Sequence, residues 1–122
     1  MKAFLKNYHQ SPRKVRLVAD LIRGKSVRDA KMALSFLPKK SAPAIEKLLD
    51  SAVANARSQG VATEDLVVRS ITVDKGMVMR RSRPFARGRS GRLLKRMSMI
   101  NLELQAAASP KKKRVTAKKI SQ

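Results

Sequence analysis

The sequence predicts an α+β protein, with three helices packed on a small three-stranded antiparallel sheet and a long protruding β-hairpin. Three observations predict this class. Apolar residues recur at helical spacing in three segments between residues 11 and 60. Apolar and polar residues alternate near 67–73 and again near 100–104. Between those two strands, an arginine-rich stretch keeps hydrophobic residues on both sides of a cluster of turn formers.

The first strand and the first helix are indicated by the N-terminal 24 residues. Residues 2–8 are typical of a short strand. Ser11 suits the N-cap of a helix and Pro12 suits its first position. An apolar stripe follows up to Gly24, so we expect a helix over about 11–23. The stripe consists of Val15, Val18, Leu21 and Ile22.

Two further helices follow at about 26–37 and 41–59. Ser26 with Asp29 resembles a capping box, although the usual partner is Glu or Gln. The second helix is short because Pro38 ends it, and the third is the longest, beginning at Ser41 and ending before Gly60. The expected stripes are Ala30, Ala33, Leu34 and Leu37 in the second helix, and Ile45, Leu48, Leu49, Ala52, Val53 and Ala56 in the third.

Two strands are predicted after the helices. Val67, Ile71 and Val73 would share one face of the first strand, which Arg69 interrupts. The apolar residues of the second strand alternate with Asn101 and other polar residues, and they are Ile100, Leu102 and Leu104. We expect these strands to pair antiparallel and to cover the helices.

Segment 75–96 separates the two strands and carries nine Lys or Arg residues, no acidic residue, three glycines and one proline. It is either a disordered basic loop or a long hairpin that continues the flanking strands. The hairpin is favoured by turn formers at 84–91 and by hydrophobic residues on both arms, namely Met77, Met79, Leu93, Leu94, Met97 and Met99. With ~10 residues per arm it would extend ~30 Å, too far to be stable without a partner.

The domain organisation follows from these elements. We expect one domain over residues 1–105, whose arginine-rich hairpin at about 75–96 suits RNA binding because guanidinium groups pair with phosphates, and a basic C-terminal tail at 106–122 that is disordered until bound. The tail contains PKKKRV at 110–115, which resembles a nuclear localisation signal. Lysine runs also arise by chance in basic tails, and we favour that interpretation.

Charge limits the classes of partner. The chain has 29 Lys and Arg residues against 8 Asp and Glu residues, a formal net charge of +21. Such a charge favours a polyanion that releases counterions on binding. No stretch reaches the ~20 apolar residues of a membrane span, and no signal-peptide core is present, so we expect a soluble, unprocessed protein. The absence of cysteine excludes disulfides and cysteine-ligated zinc.

Catalysis is not expected. His9 is the only histidine, and the eight acidic residues are scattered, so no acid, base, nucleophile or metal ligand set is in view. Arginine predominates in the hairpin instead, and guanidinium groups suit phosphates and unpaired bases. The stretch 88–91 matches the glycine-x-x-glycine loop of KH domains, but its flanks favour a simple turn. Phe85 could stack on a base or close a small cluster within the ribbon.

Residues 11–25, SPRKVRLVADLIRGK, resemble the first helix of the large-subunit ribosomal protein twenty-two family. The similarity covers about 8–104 and continues through 51–56, 73–76, 79–81, 84–89 and 94–96. It implies a non-enzymatic structural constituent of the large ribosomal subunit, cytoplasmic on the ribosome, without cofactor or metal. The implied partners are large-subunit ribosomal RNA, neighbouring ribosomal proteins and the nascent polypeptide, with no membrane and no homo-oligomer.

The resemblance also implies roles for individual residues. The hairpin would support rRNA assembly, and its tip would line the nascent-peptide exit tunnel with Met79, Arg80, Arg81, Pro84, Phe85, Ala86, Arg87, Gly88 and Arg89. The expected rRNA-binding residues are Arg13, Lys14, Arg16, Lys75, Arg80, Arg81, Arg83, Arg87, Arg89, Arg92, Lys95 and Arg96. Two features depart from the family: Phe85 replaces an often basic residue, and the tail is longer than the usual bacterial ending.

An architectural DNA-binding protein is the alternative that the residues leave open. Some such proteins also carry basic β-arms with proline at the tip, which enter the minor groove of duplex DNA. They usually act as dimers that bend the duplex. Competition between duplex DNA and ribosomal RNA would distinguish the two hypotheses.

Overall fold

A computed structural model describes residues 1–107 of the chain. Its elements in chain order are β1 (Lys2–Tyr8), α1 (Pro12–Ile22), α2 (Val27–Phe36), α3 (Ala42–Ser58), β2 (Leu66–Pro84), a short 3-10 turn (Ala86–Gly88) and β3 (Ser90–Ala106). The predicted α+β class, with three helices and a three-stranded antiparallel sheet, is confirmed. The division at 105/106 stays a prediction, and the PKKKRV stretch lies outside the described residues.

The sheet has the order β1-β3-β2, so β3 is its central strand. Both neighbours run antiparallel to β3, and Ile100 pairs with Leu5 on one side and with Val73 on the other. The backbone of β3 is therefore hydrogen-bonded on both sides within the body of the protein. The helices cover one face of this sheet, and the core lies between the two layers.

The helical stripes form most of that core. In the predicted stripes of α2 and α3, Ala30, Leu34, Ile45 and Leu49 are at most 2% exposed, whereas the predicted members Ala33, Leu37 and Val53 are only partly buried. In α1 the buried positions are Val15, Val18, Ala19 and Ile22. Leu21, predicted in this stripe, is 37% exposed, because it lies about 100° around the helix from Ile22.

The predicted helix starts are observed, but their caps differ. The Ser26 hydroxyl oxygen accepts a hydrogen bond from the Asp29 N–H at 3.1 Å, and the hydroxyl donates to the Asp29 carboxylate at 2.8 Å. This is half of a capping box, because the carboxylate does not return to the backbone of Ser26. Ser11 and Ser41 occupy N-cap positions without a side-chain cap bond.

A β-bulge corrects the predicted face of β2. The register with β3 shifts between Val68 and Ser70, so Arg69 is an extra residue. The buried residues are consequently Leu66 and Val68 before the bulge and Ile71 and Val73 after it. The expectation that Val67 shares the face of Ile71 was wrong, because one extra residue exchanges the two faces of a strand.

A second bulge lies where the sheet leaves the helices. Lys75 pairs with Ser98 but Val78 pairs with Arg96, so Gly76 and Met77 together oppose Met97. A Cβ on Gly76 would approach the backbone carbonyl carbon and oxygen of Met97 to 3.2 Å. Glycine allows this close backbone approach, and the bulge bends the hairpin at its base.

Candidate nucleic-acid interface

Beyond the second bulge, β2 and β3 continue as a two-stranded ribbon, which we define as Val78–Arg96. Seven residue pairs connect its arms, from Val78 with Arg96 to Pro84 with Ser90. Of the two alternatives for segment 75–96, the hairpin is therefore confirmed and the disordered loop is not. At about 3.3 Å per residue the paired arms span ~23 Å. The ribbon is shorter than expected because Lys75 and its neighbours still contact the body.

Basic side chains occupy both faces of the ribbon. Residues directly opposite each other share a face, and successive residues alternate. Arg80 therefore lies on one face with Arg92 and Arg96, whereas Arg81 lies on the other face with Arg83 and Lys95. The ribbon contains no acidic residue. Any polyanion that contacts either face meets cations.

The tip is a compact turn between the two arms. The Phe85 N–H donates to the Arg89 carbonyl at 2.6 Å. Arg87 and Gly88 have positive φ angles of 58° and 71°, which reverse the chain direction. The glycine-x-x-glycine stretch at 88–91 thus joins two strands rather than two helices, which excludes a KH loop and confirms a simple turn.

The base of the ribbon meets the N-terminus of α1 in two adjoining basic grooves. One, of about 470 Å³, is lined by Ser11, Pro12, Arg13, Arg16, Lys75 and Arg96. The other, of about 680 Å³, is lined by His9, Gln10, Ser11, Lys14, Lys40, Arg92, Leu94, Lys95, Arg96 and Met97. Neither lining includes an acidic residue, and the first turn of α1 has none either. The positive end of the α1 dipole adds to the positive electrostatic potential of the two grooves.

The two grooves bring together seven of the predicted basic residues and add two others, whereas Arg80, Arg81, Arg83, Arg87 and Arg89 lie farther along the ribbon. Arg13, Lys14 and Arg16 on α1 adjoin Lys75 and the arginines of the ribbon base. His9 and Lys40, which were not among the predicted binding residues, line the same groove. Lys40 could not be assigned from sequence because the α2–α3 connection reaches this region only through the tertiary fold.

Arg16 on α1 and Arg23 directly after its last residue also hold β2 in place. Arg16 donates from Nε and Nη2 to the Val73 carbonyl at 3.1 and 2.9 Å. Arg23, two turns later, donates to the Ile71 carbonyl at 3.0 Å and pairs with Asp20 at 2.8 Å. Arg16 was expected only as an RNA ligand. The seven-residue spacing of two arginines beside the buried stripe was a signal for this second role.

The helical layer has a different electrostatic character. Residues 26–65 carry six basic residues (Arg28, Lys31, Lys39, Lys40, Lys47 and Arg57) and five acidic ones (Asp29, Glu46, Asp50, Glu64 and Asp65). Lys31 on α2 pairs with Asp50 on α3 at 2.9 Å, and this hydrogen bond raises the pKa of Lys31. The excess positive charge is therefore concentrated away from α2 and α3.

Other kinds of site find little support in the described part of the chain. Within residues 1–107, no cluster of three or more His, Cys, Asp or Glu side chains could hold a metal ion. Over the same range, none of the helices combines the length and the apolar character that crossing a membrane would need.

Comparison with known proteins shows which family has this sequence. Residues 3–105 match the family described as ribosomal protein L22p/L17e. The chain belongs to this family. It is 52% identical over 102 residues to the large ribosomal subunit protein uL22 of Herpetosiphon aurantiacus, an alignment that covers 83% of this chain and 90% of the relative. It is 45% identical over 105 residues to the protein of the same name from Desulfatibacillum aliphaticivorans, covering 86% and 97%.

A third relative, the large ribosomal subunit protein uL22 of Syntrophotalea carbinolica, is 47% identical over 104 residues, or 84% of this chain and 94% of the relative. The resemblance seen in the sequence is confirmed. The family consists of structural proteins of the ribosome, which confirms the expectation that this protein is not an enzyme. Its members are cytoplasmic in bacteria, as expected.

Proposed function

We propose that this ribosomal protein is a constituent of the large subunit that binds large-subunit rRNA through the ribbon and the N-terminus of α1. The single observation that carries the proposal is the ribbon itself, which is cationic on both faces and contains no acidic residue and no buried side chain. The names of its relatives, large ribosomal subunit protein uL22, support the same partner.

The two-faced charge favours insertion between RNA segments over binding to the surface of one. A ribbon of two strands without a core is at best marginally stable alone in water. RNA on both faces would order it, and its arginines would reduce the repulsion between the converging phosphates. On this basis the protein supports rRNA assembly by holding RNA segments together.

Individual residues contribute differently within this proposal. Arg16 contributes through charge and also through its bonds to the Val73 carbonyl, whereas Arg81 bonds to its ribbon neighbours, the Arg80 carbonyl and the Met79 sulfur. The proposed rRNA-binding set remains Arg13, Lys14, Arg16, Lys75, Arg80, Arg81, Arg83, Arg87, Arg89, Arg92, Lys95 and Arg96.

We further propose that the hairpin tip lines the nascent-peptide exit tunnel. The resemblance implied that Met79, Arg80 and Arg81 all face the tunnel as part of the tip, but their pairs with Lys95, Leu94 and Leu93 lie in the half of the ribbon nearer its base. Their alternation supports a division instead, with Met79 and Arg81 on one face and Arg80 on the other. Where the ribbon borders the tunnel, one face can thus contact the nascent polypeptide while the opposite face contacts RNA, and RNA lies on both faces elsewhere along the ribbon. Tip residues 84–89 connect the two faces of the ribbon. Neighbouring ribosomal proteins would contact the layer formed by the three helices.

The salt dependence of binding tests the proposal. If ~8 phosphates are neutralised, affinity for large-subunit rRNA should fall by about four decades between 50 and 200 mM salt. Purified protein and rRNA, with random duplex DNA as competitor, provide the measurement. A nearly salt-independent affinity would contradict the proposal, and preference for the duplex together with dimerisation would favour an architectural DNA-binding protein.

A further inference from the structure

Phe85 occupies an unusual position at the tip. A Cβ built on Gly91 would lie 2.8 Å from Cε2 and 2.9 Å from Cδ2 of the Phe85 ring. The ring therefore fills the space that a side chain at position 91 would need, and glycine at that position is what admits it. The same side chain is 67% exposed, so most of its ring surface remains accessible.

The backbone holds Phe85 from a second direction. Its N–H donates to the Arg89 carbonyl, which closes the turn at 2.6 Å. The left-handed conformation at Arg87 and Gly88 brings Arg89 back to that position. Contact with Gly91 and closure of the turn together limit the orientations of the ring without a partner. A ring that is already ordered loses less conformational entropy on binding than a free one.

The surroundings of the exposed ring are cationic. A shallow cleft of about 490 Å³ at the tip is lined by Phe85, Ala86, Arg87, Arg89, Ser90 and Gly91. Two of these six residues are arginines and none is acidic. An aromatic surface flanked by guanidinium groups matches an unpaired nucleotide, whose base stacks and whose neighbouring phosphates pair with cations.

We propose that Phe85 is a stacking platform for one unpaired RNA base, that Gly91 is the residue that positions its ring, and that Arg87 and Arg89 pair with the flanking phosphates. This inference rests on the proposed function, since RNA must reach the tip. A nascent peptide fits the cleft less well, because it offers no regular anion to the two arginines. The ring thus has a role beyond its contact with Gly91.

Chemical probing of assembled large subunits tests the inference. Subunits are reconstituted with the unaltered chain, Phe85→Ala, Phe85→Tyr or Gly91→Ala, and the reactivity of unpaired bases is measured. One base near the tip should be protected with the unaltered chain and with Phe85→Tyr, which keeps the ring. Its reactivity should rise about five- to tenfold in Phe85→Ala and in Gly91→Ala, where the new methyl group displaces the ring.

Two results would overturn the inference. One is unchanged base reactivity in both Phe85→Ala and Gly91→Ala subunits that retain the protein in normal amount, which would leave the proposed function intact. The other is crosslinking of a photoreactive phenylalanine at position 85 to nascent peptide and not to RNA. Failure of the unaltered chain to enter the subunit would instead contradict the proposed function.

The free protein provides an independent check on ring placement. The Gly91 α-proton resonances should carry a ring-current shift that Phe85→Leu abolishes and Phe85→Tyr retains. Absence of this shift in the unaltered chain would show that Gly91 does not position the ring. That result would overturn the positioning role of Gly91 even if a base stacks on Phe85.

Discussion

The body of the protein and the ribbon are built from the same two strands, yet they differ in what orders them. In the body, β2 and β3 lie under three helices, and twenty buried apolar residues form one core. In the ribbon, Val78–Arg96, no residue is buried. The same two strands pair on both sides of the second bulge, so the regions differ chiefly in side-chain burial and in the third strand, β1, which pairs with β3 only in the body.

In the ribbon, the residues that set the backbone shape are therefore distinct from the interactions that stabilise it. The shape of the ribbon is set locally, by the bulge at Gly76 and the turn after Phe85. Its stability has to come from outside, because each buried apolar side chain contributes about 1.5–3 kcal/mol and the ribbon buries none. Substitutions in the two regions should therefore have opposite effects on folding and on RNA binding.

The largest effect is expected when four ribbon arginines, Arg80, Arg81, Arg87 and Arg89, are replaced together by alanine. Each charge-assisted hydrogen bond lost would cost about 1.5 kcal/mol or more, so the loss of one bond per arginine should lower the affinity for rRNA by about four decades. The free energy of unfolding of the free protein should change little, since exposed positions usually contribute within about ±0.5 kcal/mol each. Filter binding and urea unfolding measure the two quantities.

A matched control removes the same four positive charges from outside the ribbon. It replaces four exposed residues by alanine, namely Lys25, Arg28, Lys47 and Arg57. This control should lose much less affinity than the ribbon variant. Equal losses would mean that net charge alone drives binding. A large loss of stability in the ribbon variant would mean that the ribbon folds back onto the body.

The opposite result is expected for Leu49→Ala. Leu49 is fully buried on α3, so its truncation should cost about 2–5 kcal/mol in the free energy of unfolding. Leu94→Ala removes the same atoms from the ribbon, where the side chain is 42% exposed, and should cost less than about 1 kcal/mol. Thermal and urea unfolding at one salt concentration compare them. Similar costs would contradict the division between body and ribbon.

The same division explains how much the sequence could predict. Helical stripes such as Ile45 with Leu49 are local patterns, and burial follows them directly. The bulge at Arg69 depends on pairing with a strand more than thirty residues away, so periodicity alone placed Val67 on the wrong face. Leu21 was misplaced because its hydrophobicity suggested burial that the angular position on α1 does not allow.

The candidate site was predictable to a similar extent. Arginine content identified the hairpin, and the turn formers around Gly88 located its tip. The faces of the ribbon could not be assigned, because each bulge adds a residue and exchanges them. The dual position of Arg16 was also missed, since its bond to the Val73 carbonyl spans 57 residues.

A smaller effect is expected for Gly76→Ala at the boundary between the two regions. The new methyl group would press on the Met97 backbone at 3.2 Å, which cannot move as easily as a side chain. Overpacking of this kind typically costs about 1–3 kcal/mol. Hydrogen exchange should show faster opening at the ribbon base than in Ser82→Ala, a control within the ribbon. Identical exchange in both variants would show that the bulge tolerates a side chain.

Arg16→Ala tests whether this one residue both stabilises the body of the protein and binds rRNA. Removing its two bonds to Val73 should lower the free energy of unfolding by about 1 kcal/mol and also weaken rRNA binding. Arg13→Ala, one turn earlier on the exposed side of α1, should weaken binding without a measurable change in stability. Binding and unfolding measured on the same preparations separate the roles. Equal stability of the two variants would leave Arg16 with no structural role.

The smallest effect concerns a surface ion pair of the body, for which the ribbon has no counterpart. Lys2 contacts the Glu103 carboxylate at 2.9 Å on the outer face of the sheet, and this hydrogen bond, reinforced by the charge of Lys2, lowers the pKa of Glu103 below its ordinary value of 4.5. Because the folded state holds the charged form, the pair contributes stability above that value. The contribution is lost as the pH falls through the lowered pKa.

Glu103→Gln should therefore unfold at a slightly lower urea concentration than the unaltered protein at pH 7, and the two should converge under more acidic conditions. Salt should also reduce the difference, because the pair is exposed and screened. Glu64→Gln, in the exposed loop before β2, is the matched control. A difference that persists unchanged at low pH would show that glutamine disturbs the packing of β3 rather than an ion pair, since protonation removes only the charge.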